Sequence, residues 1–262
     1  MLLRVLLCLA LATFATRASS QVGPEPVPEG IQIGLSTDTI YITSDFSGED
    51  LTIFGALENP NTQVLRQGRY DVVVVLEGPP RPTVVRKKTR VLGMWINTES
   101  VAFRDVPASY SVAMTRPPQD ITDEASYRRL ALRAANIHLQ PLAPVENSTT
   151  LAEFSEALRS RMAATGMFSE RVGGVQFLSQ SLFRATLYLA PHVPVGTHRA
   201  RAFLFKNGAF VKETSTHLTI RKAGLEQRLY EFAQENGLAY GVLAVLLAIL
   251  TGWLGSIVFR RS

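Results

Sequence analysis

The stretch "YDVVVVLEG", Tyr70 to Gly78, decides how the rest of the chain is read. Valine is stiff at χ1 and packs well on a pleated surface, so Val72 to Leu76 favour a strand over a helix. Successive strand side chains point to opposite faces, so an unbroken apolar run predicts a strand covered on both sides, at the centre of a sheet. Outward from it, "IQIGL" places Ile31, Ile33 and Leu35 on one face, and "TIYIT", "DLTIFGAL", "RVLGMWIN", "SVAFRDV" and "SYSVAM" follow with turn residues between them. Short strands at this spacing predict a β-sandwich of the immunoglobulin-like kind over residues 31–118, because two half-apolar sheets bury each other's inner faces. Trp95 is expected in that core, since a large aromatic ordinarily supplies burial area.

The period then changes. "DITDEASYRRLALRAANI" starts a helix at Thr122 with acidic Asp123 and Glu124 in its first turn. A second helix reads from a capping box, Thr150 and Glu153, through the apolar stripe Leu151, Phe154, Leu158 and Met162 to Gly166. Residues 119–178 are therefore a helical insertion in a mainly β chain. Residues 179–222 return to strands and either complete the first sandwich or form a second small module, the arrangement the helical layer favours. Asn207 and Gly208 tolerate left-handed torsions and form a two-residue hairpin turn. Counted outward from that turn, His198 falls opposite His217, with Glu213 on the His217 face.

From Leu238 to Phe259 the chain carries no charge. At about 1.5 Å per residue this stretch makes a helix of roughly 33 Å, enough to span the hydrocarbon of a bilayer. Gly241, Ala244, Ala248, Gly252 and Ser256 fall three or four residues apart on one side of it, a flat face suited to close packing against another helix in lipid. Residues 223–237 read as an amphipathic stem, with Leu225, Leu229 and Phe232 on one face. Residues 1–20 have the basic start, apolar run and small-residue end of a secretory signal peptide, and 21–30 form a Pro-rich linker. Long domains translocate largely regardless of charge, so the expected arrangement is a body in the periplasm, a span in the bacterial cytoplasmic membrane and residues 260–262 in the cytoplasm.

Composition excludes some classes of function. The chain has 27 Lys and Arg against 22 Asp and Glu, but Arg4, Arg17, Arg260 and Arg261 lie at its ends, leaving the body nearly neutral and arguing against nucleic acid as a partner. Its single cysteine, Cys8, lies within the leader, so the mature body has neither a disulfide nor a thiol nucleophile. No G-x-S-x-G, H-E-x-x-H, phosphate-binding loop or dinucleotide fingerprint is present, and His138, His192, His198 and His217 show no spacing that pairs them with a serine or carboxylate. No catalytic residue, cofactor or metal is expected. "RPTVVRKKTR", Arg81 to Arg90, concentrates five positive charges and reads as a charged edge strand or solvated turn, with an anion-binding lip as the sharper alternative.

The strings "LSTDTIYITSDFSGEDLTIFGAL", "YDVVVVLEGPPRPTVVRKKTRVLGMWINTES", "VPASYSVAMTRP" and "LFRATLYLAPHVPVGTHRARAFLFKNG", with the terminal "FRR", resemble a family of alphaproteobacterial transmembrane proteins over nearly the whole body and the span. The resemblance implies an exported β-rich domain on one C-terminal span, offers no catalytic residues, and implies a sulfite-exporter-like permease as partner. Relatives are expected to carry Tyr where this chain has His198. The functional expectation is a non-catalytic, membrane-anchored periplasmic protein in contact with the lipid bilayer. It acts by association with an integral membrane protein, such as an anion exporter, or with itself through the span. A ligand- or metal-sensing domain is the alternative and an unrecognised enzyme the third.

Overall fold

The structure, a computed structural model, describes residues 28–43, 46–224, 230 and 232–259. The leader, most of the Pro-rich linker, much of the stem including Leu225 and Leu229, and the tail 260–262 lie outside the described residues.

Thirteen strands make up the described body: β1 (Gly30–Gly34), β2 (Thr39–Ile42), β3 (Glu49–Glu58), β4 (Tyr70–Glu77), β5 (Pro80–Val91), β6 (Met94–Pro107), β7 (Tyr110–Met114), β8 (Gln140–Pro141), β9 (Phe168–Val172), β10 (Val175–Phe177), β11 (Leu182–Leu189), β12 (Gly196–Lys206) and β13 (Ala209–Lys222). They form a six-stranded sheet ordered β2-β13-β12-β4-β7-β9, a four-stranded sheet ordered β1-β3-β11-β10, and a three-stranded sheet ordered β5-β6-β8. Strands β11, β12 and β13 enter the two larger sheets beside β3 and β4, so residues 179–222 complete one sandwich.

The valine run behaves as its pattern dictates. Val72, Val74 and Leu76 face the four-stranded sheet and share a core with Ile53, Phe183 and Leu187. Val73 and Val75 face the other way and share a second core with Val112, Met114, Phe203 and Phe205, beneath Ile121, Tyr127, Leu132 and Ile137 of the helical insertion. All four valines are wholly buried. Each such side chain contributes roughly 1.5–3 kcal/mol of hydrophobic stabilisation, which fixes β4 as the centre of a three-layer body.

Among the described residues the strands are accompanied by helices α1 (Thr62–Arg66), α2 (Pro118–Ile121), α3 (Glu124–Arg129), α4 (Ser148–Ala164) and α5 (Gly237–Phe259). The helix expected from Thr122 begins instead at Glu124. Thr122 is extended, with φ −160°, and Asp123 is the cap, its carboxylate accepting from the Ser126 amide at 2.6 Å. For α4, the expected capping box at Thr150 is replaced by Asn147, whose side chain accepts from the Thr149 amide at 2.9 Å and starts the helix earlier. Glu153 is then free to pair with Lys87 at 2.7 Å. The helix stops before Gly166, which sits at φ +73° where glycine carries no Cβ penalty.

Two expectations fail for a common reason. "RVLGMWIN" is not one strand, because Leu92 and Gly93, at φ +51° and +86°, form the tight turn between β5 and β6. Trp95 is not core and is 69% exposed. Beyond Phe103 and Arg104, where β8 pairs with it, β6 has β5 as its only sheet neighbour among the described residues. A two-stranded ribbon has no second layer in which to bury an aromatic ring. The lower half of the ribbon does have a small core of Val101, Phe103, Val106, Phe154 and Leu158 against α4.

Candidate functional site: a polar cleft and a membrane span

Beyond the apolar cover of the second core, the same sheet face ends in an open cleft of about 510 Å³. Glu77 reaches it from the end of β4, Arg199 from β12, His217 from β13, His138 from the loop before β8, and Asp105 from β6. Asp105 lies at a β-bulge, with φ +50°, where Arg81 pairs with Val106 and Thr83 with Phe103. Tyr110 lies at the floor, donates its hydroxyl hydrogen to the Ala131 carbonyl at 3.0 Å, and has its pKa pushed up by burial.

Arg201 ties this end of the sheet together. Its guanidinium donates to Glu213 at 2.7 Å and Glu77 at 2.9 Å, and lies 4.7 Å from the centre of the Phe203 ring. Burial opposes its charge, but the two carboxylates outweigh that and raise its pKa above the ordinary value. Glu213 is therefore committed to an arginine.

The two histidines counted as opposed do not meet. A β-bulge at Val211 shifts the register between Leu204 and Phe205, so His198 pairs with Leu218, and Arg199 pairs with His217. A slip of one residue reverses every later side chain, so His217 lies exposed on the cleft face and His198 is wholly buried on the other. Among the described residues no three His, Cys, Asp or Glu side chains are grouped closely enough to hold a metal ion.

His198 instead finds Ser109, a partner the linear sequence did not signal because 89 residues separate them. Its Nδ1 is 3.2 Å from the Gly196 carbonyl and its Nε2 is 3.3 Å from Ser109 Oγ. A carbonyl only accepts, which assigns the proton to Nδ1 and leaves Nε2 to accept from the serine hydroxyl. That is the polarity of a base and a nucleophile. However, the backbone of Gly78 covers the serine so closely that a Cβ there would lie 2.4 Å from Ser109 Oγ. Both side chains are buried, so we read the pair as satisfying polar groups beneath the cleft.

Elsewhere, α5 is long and apolar enough to cross a membrane, and its Gly237–Ser256 stretch is 0% buried. Gly241, Ala244, Ala248, Gly252 and Ser256 lie on one uncovered side, and no atom stands within 4 Å of where a Cβ on Gly241 or Gly252 would be. Thr251 satisfies its hydroxyl within the helix, donating to the Leu247 and Ala248 carbonyls.

A β-rich body joined, among the described residues, to one exposed apolar helix of spanning length defines the class: a membrane-anchored β-sandwich protein. Over residues 30–261 the chain matches the family described as "Putative transmembrane protein (Alph_Pro_TM)", and it belongs to that family. A search of curated proteins finds no match.

Proposed function

We propose that the protein is a non-catalytic accessory of the bacterial cytoplasmic membrane, with its sandwich in the periplasm and its C-terminus in the cytoplasm. It acts through contact with an integral membrane protein such as an anion exporter. The observation that carries this reading is α5, which meets none of its own body's core and presents a small-residue side. Lipid supplies little hydrophobic force between helices, so such a face gains by close van der Waals packing against another. Gentle detergent extraction of the full chain from its native membrane, with crosslinking, tests it. A specific co-extracted membrane protein, lost when Ala248→Leu and Gly252→Leu are combined, is the expected result. Recovery as a monomer, unchanged by the substitutions, overturns it.

The cleft favours a second reading, a ligand-sensing domain, because Arg199, His138 and His217 converge there with Glu77 and Asp105. Calorimetric titration of the protein with small anions and zwitterions tests that reading, and heat that vanishes in Arg199→Ala is its signature.

A further inference from the structure

The β5–β6 hairpin is amphipathic at its tip. Val91 pairs with Met94 and Thr89 with Ile96, and directly opposed residues share a face, so Val91, Met94 and Ile96 line one side of the ribbon. Leu92 caps the turn, 94% exposed, and Met94 is 65% exposed. The other side carries Lys88, Arg90 and Trp95. Contiguous exposed apolar side chains on a tight turn mark a contact surface, because water opposes leaving them open. A ribbon of two strands is marginal without a covering layer.

Charge identifies the cover. Arg86, Lys88 and Arg90 have no ion-pair partner among the described residues, while the neighbouring Lys87 is held by Glu153. Glu99 is the only acidic residue between Arg81 and Arg104. Apolar side chains at the apex, a tryptophan and a collar of cations match the layered chemistry of an anionic leaflet, with acyl chains inside and negative headgroups outside.

Topology supplies the reach. The base of the hairpin joins the sheet where β12 begins: Arg81 donates to the Val195 carbonyl at 3.4 Å, and Pro79 lies beside Gly196. Gly196 pairs with Ile220, two residues before β13 ends at Lys222 and the chain leaves toward α5. The hairpin and the membrane tether thus leave from one end of the body. Each strand of the ribbon runs on the order of 40 Å at about 3.3 Å per residue. The tether also keeps the local lipid concentration high.

We propose that the tip, Val91 to Ile96, inserts into the anionic leaflet on the body's side of the membrane and makes a second attachment beside α5. The inference rests on α5 spanning, not on any protein partner.

The chain has two tryptophans, Trp95 and Trp253. Trp253→Phe in the full chain therefore makes Trp95 the sole reporter. The purified protein is reconstituted into vesicles of phosphatidylcholine alone or mixed with phosphatidylglycerol. Expected with phosphatidylglycerol are a blue-shifted emission, shielding from aqueous acrylamide and quenching by lipids brominated near the headgroup. High salt, or the combined Arg86→Gln, Lys88→Gln and Arg90→Gln substitutions, should reverse all three, with thermal melting of the body unchanged. The proposal is overturned if Trp95 stays water-exposed and unquenched in anionic vesicles while the body is folded. Quenching indifferent to phosphatidylglycerol also overturns it. Because one purified protein is used, failure of the partner reading leaves this result untouched.

Discussion

The Asp71 carboxylate, 2% exposed on the central strand, is held by the Arg116 guanidinium just beyond β7, with Nε donating at 2.8 Å and Nη2 to the second oxygen. Thr115 adds a hydroxyl donor at 2.8 Å. This pair closes one end of the β4–β7 ladder, and Asp71 sits among valines that offer no other counter-charge.

Arg116→Ala should therefore cost about 2 kcal/mol, because it leaves a buried carboxylate with one hydroxyl donor. The half-exposed arginine keeps the loss below that of a fully buried pair. Asp71→Asn, which removes the charge and keeps the shape, should cost less than Arg116→Ala. Chemical denaturation of the three proteins checks the order, and an Asp71→Asn protein that is less stable than Arg116→Ala contradicts it.

Burial holds the His198 imidazole below its ordinary pKa, with the Arg81 charge acting in the same direction and the Gly196 carbonyl against it. On acidification the unfolded chain accepts this proton near pH 6.5 while the folded chain does not yet do so. The contribution is complete above that pH and is lost as pH falls toward the depressed folded value, at no more than about 1.4 kcal/mol per pH unit. Urea melts between pH 7.5 and 5 should show this slope in the native protein and a shallower one in His198→Gln. Equal slopes would show that other groups govern acid stability.

Gly55 has no room for a side chain. A Cβ there would lie 2.3 Å from Phe183 Cζ and 2.5 Å from the Gln32 carbonyl oxygen across the β1–β3 ladder. A ring can turn aside but the ladder carbonyl cannot, so Gly55→Ala should destabilise the body by about 1–3 kcal/mol. Gly34→Ala, with nothing within 4 Å of its Cβ position, is the matched control on the same sheet and should be nearly neutral. Thermal melting of both variants measures the difference.

Local pattern made much of this architecture legible. The run Val72 to Leu76 required cover on both faces, Asn207 and Gly208 marked a turn that has positive φ at both residues, and Gly166 ended α4. Trp95 misled because residue type reports a preference for burial, while burial needs a second layer that only neighbouring strands and helices supply. The histidine register misled for a related reason. Hairpin counting assumes an unbroken ladder, and Val211 interrupts it without any signature in its own sequence.

By itself, the sequence determined a mainly β body with inserted helices, its central strand, and an apolar helix long enough to span a bilayer, since these follow from side-chain periodicity and hydrophobicity along the chain. Only the tertiary structure decided that residues 179–222 complete the same sandwich, that Ser109 meets His198, and that Glu77, Asp105, His138, Arg199 and His217 share a cleft. Those relationships depend on strand order and register, which are set by the joint burial of distant segments and are not written in the spacing of neighbouring residues.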